Sequence, residues 1–239
     1  MNDKRQYRNS LDFIEDGFRA CWRNASDLVA ASKNLIDQGL HAPGLSLSVL
    51  ALEELGKLCA IDGLLFARSD DHKSHRFGKS QRDHNTKLAA LELLPLFIGN
   101  LSRVDPRYKN KEQAYGQTLA ISIRQLEGDG NAVREPMEEA GFAGLDRWKQ
   151  RGFYVGIDRN AFVIPREAVD QKYAEAVRHF AWRAVSTLDF VLKGGNLERY
   201  IQQARSIRGK LSEHDHKEFE QIGRQVAQIL FGSEDVSDN

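Results

Sequence analysis

One stretch limits what this chain can fold into more than any other. From about Leu45 to Ala67, the residues Leu47, Leu50, Ala51, Glu54, Leu58, Ile61 and Leu65 recur at three- and four-residue steps. Such steps place side chains on one side of an α-helix. Every member of the stripe is apolar except Glu54. A carboxylate on a buried stripe costs on the order of several kcal/mol unless it is paired. A partner is close by: Lys57 stands at i,i+4 from Glu53 and at i,i+3 from Glu54, so the three can meet on adjacent helix faces. Between them Gly56 costs about 1 kcal/mol relative to alanine inside a helix. That cost points to a close helix approach or a ligand at this place.

The same period runs through most of the chain. A first helix is predicted from about Leu11 to Gln38, on Ile14, Phe18, Cys21, Ala25, Leu28 and Leu35, with Gly39 as its stop. The short linker Leu40-His-Ala-Pro-Gly then favours an antiparallel pair with the second helix. Further helices are predicted at about 86–100 with Asn85 as N-cap and Pro95 as a kink, and at 111–127, ended by Gly128-Asp-Gly. Others follow at 136–149, 166–193, 197–209 and 213–231. Only Phe153-Tyr-Val-Gly-Ile and Ala161-Phe-Val-Ile, joined by the polar turn Asp158-Arg-Asn, alternate as strands do, and they predict one small hairpin. Residues 68–87 are polar, rich in His, Lys and Arg, and read as a loop or exposed helix end. Polar, aperiodic tails are expected at 1–9 and 232–239, around a single helical domain at 10–231. The fold class is therefore all-α, with long antiparallel helices.

Several function classes are disfavoured. With 34 basic and 34 acidic residues, a protein that coats nucleic acid or an anionic membrane over its whole surface is not expected, although a local basic site is compatible. Cys21 and Cys59 lack metal-ligand spacing and fall on apolar stripes, as reduced buried thiols do. No run of 18 apolar residues and no apolar leader occurs, so no membrane partner is expected and the cytoplasm is the expected location. No glycine-rich phosphate loop follows a predicted strand. Glu53, Glu54, His72 and His75 offer metal-ligand atoms, but Lys57 and Lys73 would repel a cation, so neither a metal nor another cofactor is expected.

The remaining chemistry is proton transfer beside a cation. His72 and His75 suit general acid–base work, and Arg68 with His75 forms an Arg-x6-His pattern. Arg208 with His214 forms a second Arg–His pair. Metal-free RNA cleavage needs a group that moves a proton and a cation that stabilises the pentacoordinate phosphate. Arg23 and Asn24 on the first helix are candidates for substrate binding if the first two helices pack antiparallel.

Four segments together resemble the AbiV family of abortive infection proteins: Phe18-Arg-Ala-Cys-Trp-Arg-Asn-Ala25, Leu45-Ser-Leu-Ser-Val-Leu-Ala-Leu-Glu-Glu-Leu-Gly-Lys57, His72-Lys73 and Gly152-Phe-Tyr-Val-Gly-Ile157. Order and spacing match along roughly residues 10–195. The resemblance implies a HEPN-like helical bundle, commonly dimeric, from a superfamily rich in metal-independent ribonucleases. It implies a phage-defence effector that acts on RNA to block translation, with a phage-encoded protein as trigger. Carried over by position, it points to Glu53, Glu54, Lys57, His72 and Lys73. In that scheme Glu53 or Glu54 positions the histidines and the ribose, and His72 or His75 moves the proton. Lys57, Lys73 and Arg68 hold the phosphate. A symmetric homodimer is expected through the first helix or that at 166–193, with Trp22 and Phe180 as anchors. The competing expectation is a non-catalytic dimer that binds a phage or host protein.

Overall fold

The helix that carries Glu53 is buried over most of its circumference. The computed structural model describes residues 11–65, 84–107, 112–134, 141–158, 161–193 and 195–208. Its first two helices are α1 (Leu11–Asp37) and α2 (His41–Leu65). Along α2, Leu45, Val49, Ala51, Leu52, Leu55, Leu58 and Ile61 are buried, and so are Ser46, Ser48 and Glu53. These positions take up most of the helix surface, and the strip with Leu47, Leu50, Glu54 and Lys57 is only partly buried. The buried surface is therefore wider than the single stripe read from the sequence, as for a central helix, and Leu47, Leu50 and Glu54 of that stripe lie on its less buried side. As a consequence the deeply buried carboxylate is Glu53, at 2% exposure, and not Glu54.

α1 shows the simpler pattern. Ile14, Phe18, Ala25, Val29, Ser32 and Ile36 form one buried face against α2. The connection between the two is a tight helix stop. Gly39 takes φ +78°, its N–H donates to the Ile36 carbonyl, and the Leu40 N–H donates to the Leu35 carbonyl. The expected linker at 40–44 is absent, because α2 starts at His41 with Pro43 in its first turn. Ser32 Oγ donates to the Gly44 carbonyl at 2.7 Å and meets Ser48 Oγ at 2.7 Å. Farther along, a methyl on Gly17 would approach Ile61 at 3.2 Å. These contacts set an antiparallel register in which Cys21 lies near Glu54 and Lys57.

Next come α3 (His84–Ala89), a 3-10 turn (Ala90–Leu93) and α4 (Leu94–Arg103). The sequence predicts one helix here, kinked at Pro95. Instead the turn before Pro95 tightens and α4 starts anew with the proline in its first turn, where the missing N–H has no bond to lose. α5 (Glu112–Arg134) runs through the glycines that were expected to end it. A 3-10 turn (Gly141–Gly144) leads into α6 (Leu145–Phe153). The hairpin follows with a shifted first strand: β1 (Gly156–Asp158) and β2 (Ala161–Val163) pair antiparallel, with Ile157 opposite Phe162. Phe153, expected in the strand, ends α6, and Asp158, expected in the turn, pairs with Ala161. α7 (Pro165–Ala168) is a single turn, and α8 (Gln171–Leu192) restarts where Asp170 Oδ1 accepts the Tyr173 N–H at 3.0 Å. α9 (Asn196–Arg208) is the last described element. The predicted helix at 213–231 and both predicted tails lie outside the described residues.

The protein is thus an all-α bundle, with one two-stranded sheet among the described residues. α1, α3, α6 and α8 all pack on α2. Phe18 of α1 stacks on Phe97 of α4 at 5.4 Å, and Tyr200 of α9 meets Phe97 edge-on at 6.3 Å. One expected anchor moves inward. Phe180 is only 2% exposed and stacks on Phe142, so it belongs to the core; Trp22 is half-buried against the same core. Among the described residues no helix is long and apolar enough to cross a membrane.

Candidate functional site

Glu53 gathers three basic side chains from two other helices. Its Oε1 accepts from Lys149 Nζ of α6 at 2.6 Å. Its Oε2 lies 2.6 Å from His84 Nδ1 and 3.1 Å from Lys87 Nζ, both of α3. A carboxylate only accepts, so His84 carries its proton on Nδ1 in this contact. Burial pushes the Glu53 carboxyl up, but the bonds from Lys149 and His84, with the charge of Lys149 and a bond from Lys87, outweigh it. The carboxyl is held below its usual range and stays ionised.

Two close backbone approaches build this cluster. A methyl on Gly56 would lie 1.7 Å from the Lys87 carbonyl oxygen. Only glycine lets α3 come that close to α2, and the approach carries His84 and Lys87 to Glu53. A methyl on Gly152 would lie 2.1 Å from Ser46 Oγ and 2.5 Å from the Ala42 carbonyl oxygen. That contact seats α6 on α2, where Ser46 Oγ donates to the Lys149 carbonyl at 2.9 Å. Of the two explanations for Gly56, the close helix approach is the one seen.

Exposure divides the members. Lys87 and Lys149 are buried, at 6% and 3%, whereas 46% of the His84 side chain is exposed. The imidazole therefore stands at the rim, one nitrogen on a buried carboxylate. Lys149 also lies 2.6 Å from Asp146 Oδ1. Ligand atoms of Glu53, His84 and Asp146 come within 4.8 Å of one another, a spacing that suits a metal ion. The Lys149 ammonium bridges two of those three groups, and Lys87 adds a second positive charge. The donor set is thus already neutralised by the chain's own cations and does not fit a divalent ion.

Glu54 and Lys57 form a separate pair. Lys57 Nζ donates to Glu54 Oε1 at 2.5 Å, and both side chains are partly exposed. Glu54 turns toward Cys21, whose thiol is pushed up to about 12 by burial and by the Glu54 charge, offset in part by Lys57. Such a thiol is not a nucleophile near neutral pH. Arg23 and Asn24 are exposed on α1. Arg68, His72, Lys73 and His75 lie outside the described residues, as does His214; of Arg208 only the backbone is described, at the end of α9.

Sequence reasoning thus reached Glu53 and missed His84, Lys87 and Lys149. A usable signal was present. Leu145, Lys149 and Gly152 share one face of α6, so a lysine stands on an otherwise buried stripe, the same anomaly that drew attention to α2. His84 and Lys87 stand at i,i+3 and can meet one acceptor.

A comparison with curated proteins and one with solved structures found no match. A family model, HEPN_AbiV, described as AbiV, matches residues 13–185. The match takes in most of the chain, from the first turns of α1 into α8, and includes all four members of the Glu53 cluster. The chain therefore belongs to the AbiV family of abortive-infection phage-defence proteins.

Proposed function

We propose that the protein blocks translation in infected cells by cleaving RNA without a metal, with His84 as a proton-transfer group and Glu53 as the carboxylate that orients it. The observation that carries this reading is the His84–Glu53 contact. A buried carboxylate holds Nδ1 at 2.6 Å and fixes the tautomer, while about half of the ring is open to solvent. Nε2 is then the basic nitrogen. In such a cleavage a base takes the proton of the ribose 2′-hydroxyl, whose oxygen attacks the neighbouring phosphorus. The 5′-oxygen leaves with a proton from an acid, and a 2′,3′-cyclic phosphate remains. His84 serves as one of these two groups, and His72 or His75 as the other. Lys73, Arg68 and the Glu54-paired Lys57 are the proposed phosphate contacts, with Arg23 and Asn24 on the outer face of α1 as further substrate contacts. Lys87 and Lys149 are too buried to touch a phosphate; they keep Glu53 ionised.

The test is total RNA incubated with purified protein in EDTA, beside His84→Ala and Glu53→Gln. Cleavage by the wild type that is lost in His84→Ala supports the reading. Intact RNA with the wild type, together with phage protection that survives His84→Ala, overturns it.

One observation favours the second reading, a non-catalytic module that binds a phage or host protein. Ile157 and Phe162 face each other across the hairpin at 73% and 79% exposure, beside Tyr154 at 63%. Exposed apolar side chains clustered in this way mark contact surfaces. Loss of protection on Phe162→Ser with RNA intact throughout would select that reading. A homodimer remains part of the proposal, but Phe180 is not its anchor.

A further inference from the structure

The hairpin is the least covered part of the fold. Its strands β1 and β2 pack chiefly on each other. Half of the exposed large apolar side chains among the described residues lie between Phe153 and Ile164: Phe153, Tyr154, Val155, Ile157, Phe162 and Ile164. A two-stranded hairpin is marginal in water unless its apolar face packs on something. Weighted by exposure, the six side chains offer about 700 Å² of surface. Each side of a stable protein pair covers about 800 Å², so this one patch comes close to filling an interface.

Shape and charge say what the cover is. Beside the hairpin and the ends of α6 and α7 lies an open cavity of about 570 Å³. Tyr154, Val155, Ile157 and Val163 line it, so the element that carries the protruding Phe162 ring also carries a hole to take one. Arg151 and Glu167 stand at the same cavity, and both are exposed. They do not pair with each other, and neither has an ion-pair partner among the described residues. Arg151 is held over the Trp148 ring, 5.0 Å from its centre. An interface between identical copies has to carry both halves of every contact on one surface. This surface does so twice, with ring and cavity and with cation and anion. A foreign protein would require only one half of each. Exposed apolar area alone suits either kind of partner; the doubled set of complementary features suits a second copy.

We propose that the hairpin face joins two copies of this chain about a twofold axis. Phe162 of each copy enters the cavity of the other, and Arg151 of each meets Glu167 of the other. The inference rests on the proposal that the protein is a homodimer and gives that dimer a surface, on the hairpin rather than on α1 or α8.

The test is the mass of the full chain by sedimentation equilibrium over a wide range of concentration. The wild type is expected at twice its chain mass of 27.1 kDa. Phe162→Ser is expected to weaken the dimer about thirtyfold or more, as loss of a central aromatic anchor does. Arg151→Glu sets like charges against each other and is expected to weaken it about tenfold. Arg151→Glu combined with Glu167→Arg is expected to restore most of the affinity, which a folding defect would not. All three positions are exposed, so the variants should melt as the parent does. A dimer unchanged by Phe162→Ser and by Arg151→Glu overturns the surface alone, and a double swap that fails to restore it overturns the Arg151–Glu167 contact. A wild type that stays at 27.1 kDa overturns the dimer and its surface together, and leaves the hairpin to a phage or host protein. None of these results depends on whether RNA is cleaved.

Discussion

Lys149 Nζ donates to Glu53 Oε1 at 2.6 Å, across 96 residues of sequence. Both side chains are almost wholly buried. A buried ion pair is weak support for stability in itself, because two charges must leave water. Its value here is positional. Glu53 accepts at once from α3 and α6, so one carboxylate fixes both helices on α2 and holds His84 at the surface.

Removal of that carboxylate is expected to be costly. Glu53→Leu leaves two buried ammonium groups facing an alkyl chain, and a loss of about 3–5 kcal/mol is expected. Glu54→Leu breaks only the partly exposed pair with Lys57, and about 1 kcal/mol or less is expected. Urea melts of the two variants check the order; an equal loss for both would contradict the assignment of roles.

Glycine substitutions should split in sign. Gly56→Ala drives a methyl into the Lys87 backbone, and a loss of about 3 kcal/mol or more is expected. Nothing lies within 4 Å of a methyl on Gly128, inside α5 and exposed. Gly128→Ala is therefore expected to stabilise by about 0.5–1 kcal/mol through helix propensity. Thermal melts of both variants against the parent measure the difference.

His84→Ala separates chemistry from packing. The ring is half-exposed and Glu53 keeps both lysines without it, so melting should move by about 1 kcal/mol at most. Under the proposed mechanism RNA cleavage in EDTA falls by about a hundredfold or more. A variant with full activity removes His84 from the reaction.

Two carboxyls should give opposite pH signatures. Glu53 is held below its ordinary value, so its contribution is fully present above about pH 4.3 and is lost as pH falls through the lower folded value. The stability gap between wild type and Glu53→Gln should narrow in acid. Asp62 is the reverse. Burial pushes it up to about 6, only partly relieved by the Tyr200 hydroxyl, which donates to it at 2.7 Å. The folded state then binds the proton more tightly than the unfolded one, so stability drops as pH rises from about 4 to about 6. Asp62→Asn should gain on wild type over that interval, as denaturant melts across the pH range will measure.

Repeating apolar steps in the sequence already determined that the chain is helical, because a helix must bury one side whatever it packs against. That reasoning reached α1 and α8 and, through the alternation around Asp158-Arg-Asn, the hairpin. It also marked the Glu-Glu-Leu-Gly-Lys segment, since a carboxylate and a glycine inside an apolar helix each need a reason. Periodicity could not say which glutamate is the buried one. That depends on which sides of α2 are covered: α1, α3, α6 and α8 pack on it and close over Glu53, whereas the side with Glu54 stays partly exposed. Nor could it bring His84, Lys87 and Lys149 to Glu53, because their meeting follows from two backbone contacts, at Gly56 and Gly152, between segments far apart in the chain. Residue types and spacing are local properties. The partner of a buried charge is set by which helices touch, and only the folded chain decides that.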